Sequence, residues 1–392
     1  MEKINRKQFL TSISVAGAAT LVAPSLVASP KKKEEILFTG KKIKLGIIGC
    51  GSVSRYYLEH LSKCPYAEIV SLCDIIPERA QNRASEYKVN NWYPHIDKML
   101  AGVDFELFVN LTDMQEHGRL NRIALEAGKH VWSEKPMATT YEIGAELLKL
   151  ADKKGVKIWG APVVVSSPQF AFIAKQISEG NFGLISAAHG CYGHLGPSWS
   201  SFFYEKFGGS IPDLAVYNIT SLTGLLGPAV SVVAMTNIIR PTREIDNKGT
   251  IKVTEEDNSH ILLQHESGAI SHIQSGFNYT MAHSYESDEI STISIIGTKA
   301  RMDMIGYDWD PLAVDVATPE KYKMQRMATE PGTYVWEQGA SLVCEHLATG
   351  KELLFRPDHA LHAVEIMEAA RKSQQTGKRI NLKSTFKYPV IG

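Results

Sequence analysis

A buried strand that runs straight into a glycine-rich turn and a helix, with an acid closing the next strand, constrains this chain more than any other feature. Residues 42–48 (Lys-Ile-Lys-Leu-Gly-Ile-Ile) read as a strand covered on both faces. They lead into Gly49-Cys50-Gly51-Ser52-Val53-Ser54 and a helical stretch through Leu61. Residues 67–73 form the next strand, which stops at Asp74. A Gly-x-Gly-x-x-Gly pattern alone is a weak signal, and Ser54 stands in its third position here. The flanking strand and helix, and an acid about twenty residues on, make it a dinucleotide-binding turn. Gly49 permits the tight turn. Gly51 lets a pyrophosphate approach the backbone and the positive helix N-terminus, with Ser52 and Val53 completing the contact. Asp74 is placed to accept hydrogen bonds from the adenosine ribose and to repel a 2′-phosphate. The expected cofactor is therefore NAD rather than NADP, although Arg79 leaves NADP open.

Strands and helices go on alternating. Helices are expected over 77–87, 121–127 and 141–154, and strands over 105–111, 130–132 and 156–159, which predicts a doubly wound parallel sheet over residues 42–160. The texture then changes. Stretches at 184–192, 230–238, 259–265, 269–274 and 291–296 read as strands, several joined by short turns such as Glu266-Ser267-Gly268. The fold class is thus α/β: an N-terminal Rossmann domain, then an α+β domain over 161–356 built on a mostly antiparallel, open-faced sheet. A C-terminal helix and tail, 357–392, return toward the Rossmann domain. Two domains suit a chain of 392 residues.

The first thirty residues have a separate meaning. Asn5-Arg6-Lys7-Gln8-Phe9-Leu10 precedes an apolar stretch over 13–27, a charged region followed by an apolar one too short to span a bilayer comfortably. It resembles a twin-arginine export signal with Lys7 in place of the second arginine. Residues 1–29 are therefore an expected export signal to the periplasm and 30–41 a polar linker. An ordinary secretory signal, a retained membrane anchor and a cytoplasmic location stay open.

Composition removes several classes of function. Basic and acidic residues balance at 42 each, so no overall field attracts nucleic acid or an anionic membrane. The five cysteines are scattered, with no Cys-x-x-Cys pair. No His-Glu-x-x-His or acidic cluster points to metal, and no Gly-x-Ser-x-Gly elbow points to a serine hydrolase. No nucleic-acid, metal or integral-membrane partner is expected.

Gly128-Lys129-His130-Val131-Trp132-Ser133-Glu134-Lys135-Pro136 ends a strand in an acid, a lysine and a proline on the cofactor side of the sheet. With the glycine-rich turn, it resembles the glucose–fructose oxidoreductase, inositol dehydrogenase and rhizopine-catabolism (Gfo/Idh/MocA) family. The likeness runs from Lys42 to Leu382. It implies that Lys135 faces the reacting carbon beside the nicotinamide and that Pro136 holds the turn through a cis bond. Thr112, His117 and Glu134 then join Lys135 around the cofactor. The family's second signature, an acid followed four residues later by histidine or tyrosine, is met by Asp213 and Tyr217. Lys135 is expected to lower the Tyr217 pKa so that the phenol takes the substrate proton. His194 and Trp199 are expected to contact substrate, and Tyr204 and Trp336 are further aromatic candidates for stacking on a sugar.

The resemblance implies an NAD(P)-dependent oxidoreductase acting on a hydroxyl of a sugar, polyol or glycoside, assembled as a homo-dimer or tetramer. Export with a soluble cofactor suggests that the nucleotide stays tightly bound and is recycled in place. Two alternatives stand beside this: a redox-neutral glycosidase or lyase working through transient C3 oxidation, and a cofactor-binding protein without catalysis.

Overall fold

The computed structural model describes residues 40–246, 248–280, 289–327 and 332–390. The expected export signal and all but the end of the linker lie outside the described residues. The first domain is a six-stranded parallel sheet: β1 (Ile43–Ile48), β2 (Ala67–Cys73), β3 (Trp92–Tyr93), β4 (Leu107–Asn110), β5 (His130–Ser133) and β6 (Ile158–Gly160), in the order β3-β2-β1-β4-β5-β6. Its helices are α1 (Ser54–Ser62), α2 (Pro77–Tyr87), α3 (Ile96–Leu100), α4 (His117–Glu126) and α5 (Tyr141–Lys154). The central strands are apolar because helices cover both faces: in β1 all but Lys44 is buried, and β4 is buried throughout.

Register brings the carboxyl ends of these strands to one edge. Ile48 pairs with both Cys73 and Asn110, and Asn110 with Ser133. Gly49, Asp74, Leu111 and Glu134 therefore all begin their turns together. Chain order reverses between β1 and β4, and the crevice at such a reversal is where an open α/β sheet binds ligands.

The second domain carries a nine-stranded mixed sheet in the order β16-β15-β14-β13-β7-β12-β11-β8-β17. Its strands are β7 (Ile185–Gly193), β8 (Ala229–Asn237), β11 (Asn258–His265), β12 (Ile270–Gly276), β13 (Ser291–Gly297), β14 (Arg301–Tyr307), β15 (Asp310–Thr318), β16 (Lys321–Met327) and β17 (Ile380–Asn381), with β9 (Thr242–Ile245) and β10 (Gly249–Lys252) as a separate hairpin. All neighbours pair antiparallel except β7 with β12. Helices α6 (Pro168–Ser178) and α7 (Val216–Leu226) pack on this domain. On β8, β11 and β12, Val233, Met235, Leu262 and Ile270 are exposed. Helix α9 (Pro357–Thr376) packs on β8 and α7 and also on α5 and β6.

One expected boundary moves. Helix α8 (Gly339–Thr349) packs on α1, β1 and β5, although residues 161–356 read as second domain. The reason is a close approach: a Cβ on Gly339 would collide with the ring of Trp132, which is fully buried on β5. The helix expected at 121–127 begins at His117, because a short 3-10 turn at Met114–Glu116 feeds it. Strands β14 to β16 and helices α6 and α8 were not legible. β16 (Lys-Tyr-Lys-Met-Gln-Arg-Met) is mostly polar, and its Arg326 pairs with Asp315 across the hairpin.

Candidate active site

The dinucleotide end is built on backbone. Gly49 has φ +89°, and a Cβ there would lie 2.6 Å from the carbonyl of Leu111, so only glycine fits between β1 and β4. A Cβ on Gly51 would meet nothing within 4 Å, since this residue faces the open crevice. Ser54 does more than fit: its hydroxyl donates to the Gly51 carbonyl at 2.7 Å and ties the turn to α1. No side chain caps the α1 N-terminus, leaving its first amides free for a phosphate. Asp74 is buried, its two oxygens accepting from the amides of Cys50 at 2.7 Å and Ile76 at 2.8 Å. The carboxylate is thus fixed at the edge of a cavity of about 480 Å³, lined also by Ile75, Ile76, Arg79 and Thr112. Ile75 is 77% exposed, an apolar surface suited to an adenine ring. Ser52 is exposed on the turn, while Val53 and Thr112 line the adjoining cleft.

That cleft, about 550 Å³, shares Leu111 and Thr112 with the first cavity and runs between the domains. Within this cleft Lys135 donates from Nζ to Asp213 Oδ1 and to the Asp213 carbonyl, both at 2.7 Å. The peptide bond to Pro136 is cis, as the resemblance implied. Glu134 does not pair with the Lys135 ammonium: its Oε1 accepts from Tyr57 Oη at 2.6 Å and its Oε2 from the Lys135 amide at 2.8 Å. This holds the lysine's backbone while leaving its ammonium to Asp213.

Asp213 and Tyr217 both reach the cleft, Asp213 from a π-helical turn at Ile211–Ala215 that leads into α7. Tyr217 corrects the expected mechanism. The Lys135 Nζ sits 5.1 Å from the centre of its ring, over the face rather than beside the hydroxyl. Burial pushes the Tyr217 phenol well above 10, and Glu134, Asp213 and Asp308 push it the same way. Tyr217 is a neutral phenol here, not an activated phenolate.

His117 is also corrected. It borders the cleft, but Nδ1 lies 2.7 Å from the Pro136 carbonyl and Nε2 2.9 Å from the Thr112 carbonyl. Both nitrogens are engaged by backbone, so the ring braces the Lys135-Pro136 turn against the strand β4 exit. Burial lowers its pKa while the two carbonyls raise it.

His194 and Trp199 line the cleft, Trp199 standing 51% exposed beside Phe202 and Phe203. Trp336 lines the opposite wall, with edge contacts to Tyr56 and Tyr57. Tyr204 does not: it is buried and donates to the Pro197 carbonyl at 2.7 Å, a packing role. Sequence reasoning missed Tyr192 and Trp309, which meet in the cleft through a 2.8 Å bond from Trp309 Nε1 to Tyr192 Oη. Among the described residues, no group of three or more His, Cys, Asp or Glu is placed to hold a metal ion, and no helix is long and apolar enough to cross a membrane.

The open backbone at Gly51, the free α1 amides and the fixed Asp74 fit a dinucleotide. Comparison with known proteins agrees. Residues 43–161 match a family described as an oxidoreductase family with an NAD-binding Rossmann fold, and residues 170–303 match the Gfo/Idh/MocA C-terminal domain. The chain is 22% identical to the uncharacterized oxidoreductase YrbE of Bacillus subtilis, over 88% of this chain and 98% of that protein. Its fold is similar to that of the WlbA dehydrogenase of Bordetella pertussis solved with NADH and UDP-GlcNAcA (TM-score 0.71, 23% identity, 88% of this chain and 99% of that one). It is also similar to levoglucosan dehydrogenase solved with NADH and L-sorbose (TM-score 0.76, 18% identity, 88% and 100%).

Proposed function

Because this chain belongs to the Gfo/Idh/MocA family of NAD-binding oxidoreductases, we propose that it oxidises a hydroxyl of an uncharged sugar, polyol or glycoside. The observation that carries this reading is Lys135, whose ammonium meets Asp213 in the cleft that adjoins the dinucleotide cavity through Leu111 and Thr112. Bound NAD supplies the hydride acceptor. Two of the three Lys135 donors are spent on Asp213, leaving the third for the substrate oxygen. Lys135 first gives a proton to Asp213 Oδ1; the neutral amine then takes the hydroxyl proton at Nζ as the C–H hydride leaves, so the pair rather than Tyr217 receives it and Lys135 ends as the ammonium. The same ammonium stabilises the negative charge that gathers on oxygen as the carbonyl forms.

The uncharged substrate follows from the lining. Among the described residues of the cleft, Lys135 is neutralised by Asp213, Glu134 adds negative charge, and no arginine is present. A phosphate or carboxylate would find no free cation. Trp199, Trp309 and Trp336 offer flat apolar faces of the kind that pack on a sugar ring. The WlbA and levoglucosan dehydrogenase complexes hold sugars of the two contrasting kinds, one nucleotide-linked and one free. The cleft of this chain favours the free kind.

The test is a panel of neutral sugars, polyols and glycosides set beside sugar acids and nucleotide sugars, assayed with NAD for reduced nicotinamide and for a released leaving group. NADH formed from a neutral member supports the proposal; turnover confined to charged members refutes it. Leaving-group release without net NADH identifies the redox-neutral reading instead. The N-terminal sequence supports export with the cofactor carried and recycled in place, which fractionation and a search for co-purifying nucleotide would check. Light scattering on the purified protein would check a dimer or tetramer formed through the exposed sheet face.

A further inference from the structure

His194 is held in a way that dictates which of its nitrogens carries a proton. Its backbone is pinned at the exit of β7: the amide donates to the Gly276 carbonyl at 3.1 Å and the carbonyl accepts from the Tyr279 amide at 3.2 Å. Its ring lies against Phe277, with centroids 5.5 Å apart and planes 24° apart, and meets Tyr192 edge-on. In that setting Nδ1 accepts a hydrogen bond from the backbone amide of Gly196 at 3.0 Å. An amide can only donate, so Nδ1 must offer a lone pair. A neutral imidazole with its lone pair on Nδ1 carries hydrogen on Nε2.

The amide that imposes this choice is itself fixed. Gly196 has φ +90°, and a Cβ there would lie 2.5 Å from Tyr204 Oη and 2.7 Å from Arg243 Nη1. The carbonyls on either side are taken: Leu195 accepts from Arg243 at 2.7 Å and Pro197 from Tyr204 at 2.7 Å. Turning the loop so that Gly196 no longer faces the ring would break both. Nε2 has no hydrogen-bond partner among the described residues, and it is not among the buried atoms left without one, so it is solvent-accessible on a residue that lines the cleft. Burial holds this imidazole below its usual range, with Asp213 opposing and Lys135 and Arg243 assisting the shift, which keeps the ring neutral.

We infer that His194 is a tautomer-locked hydrogen-bond donor whose Nε2–H holds a substrate oxygen in the cleft, and that it is not a second base. A base needs its lone pair on the substrate side, and Gly196 keeps that lone pair on the other side of the ring. His194 thus selects for a substrate that presents an acceptor oxygen at this point, a hydroxyl, ring oxygen or carbonyl, and disfavours the corresponding deoxy compound. Its substrate half rests on the sugar-oxidoreductase reading above; the tautomer does not.

Two measurements on the full chain separate the two halves. The first is a long-range proton–nitrogen correlation spectrum of protein labelled with nitrogen-15 in its histidines, with the His194 signal assigned by its loss in His194→Gln. The inference expects an unprotonated Nδ1 and a protonated Nε2 at neutral pH. A proton on Nδ1, or a fully protonated ring, overturns it whether or not any sugar is turned over. The second uses the neutral sugar that gives the highest turnover in the panel. Removing the donor in His194→Ala should raise KM roughly fivefold to tenfold, while His194→Gln, which keeps an N–H donor, should recover most of that loss. NADH affinity by fluorescence titration should be unchanged in both. Equal KM values for wild type and both variants would overturn the substrate half, and inactivity of the wild type on every panel member would overturn it together with the proposed function.

Discussion

Replacing Asp308 with asparagine should stabilise this protein at neutral and alkaline pH. Asp308 follows β14, fully buried, and its Oδ2 accepts from Asn218 Nδ2 and Ser221 Oγ, both at 3.0 Å. Oδ1 has no partner, nor does Asn218 Oδ1. No cation among the described residues offsets the buried charge, and burial lifts the carboxyl from 3.8 to about 6 although Asn218, Ser221 and the backbone amides of Asp308 and Trp309 all lower it. The folded pKa lies above the unfolded one, so this group's stabilising contribution is complete below about pH 4 and is lost as pH rises through about 6. A gap of roughly two units at about 1.4 kcal/mol each makes that loss about 3 kcal/mol. Asparagine carries no charge and keeps an oxygen for both donors. Exchanging two charge-assisted bonds for neutral ones costs about 1 kcal/mol, leaving a net gain near ~2 kcal/mol at about pH 8. Urea unfolding of both proteins across this range, followed by tryptophan fluorescence, gives the difference directly. It should grow between about pH 4 and pH 7 and then level off. An Asp308→Asn protein no more stable than wild type at about pH 8, or a difference that does not change with pH, would refute the reasoning.

Other perturbations follow from the same geometry. Gly51→Ala should leave Tm unchanged, because its Cβ meets no protein atom, yet weaken NADH binding about tenfold or more; titration and melting measured together check this. Gly49→Ala should do the reverse first and lower Tm, since its methyl strikes the Leu111 backbone at a positive φ. Lys135→Met should cut kcat about two to three orders of magnitude while NADH still binds, as single-turnover and binding assays would show. Tyr217→Phe should lower kcat by roughly tenfold or less and leave the shape of the pH–rate profile intact, because a phenol pushed above 10 takes no proton near neutrality; loss of a limb from that profile would restore the tyrosine as base.

Much of the first domain was legible because its signals are local. A strand buried on both faces reads as an apolar run, and Gly49 and Gly51 mark the turn whatever surrounds them. Helices α2 and α5 end where their caps end, α5 between the Thr140 hydroxyl, which accepts from the Ile143 amide, and Gly155 at φ +69°. The Glu134-Lys135-Pro136 turn and the pairing of Asp213 with Tyr217 were equally visible, each being a short pattern of residue types. From them the sequence alone determined the Rossmann domain, the dinucleotide turn and the lysine at its edge.

What each group does there was decided only by the fold, because the deciding contacts join residues far apart in the chain. Asp213 lies 78 residues from the Lys135 that it holds, and Trp309 lies 117 from the Tyr192 that it meets. His117 carries no mark of the two carbonyls that use both its nitrogens, nor His194 of the amide that sets its tautomer. A phenol that sequence pairs with a lysine becomes a poor base once three carboxylates and the loss of water surround it. Proton affinity depends on the charges and solvent within a few ångströms in space, and sheet register, not spacing along the chain, settles which those are.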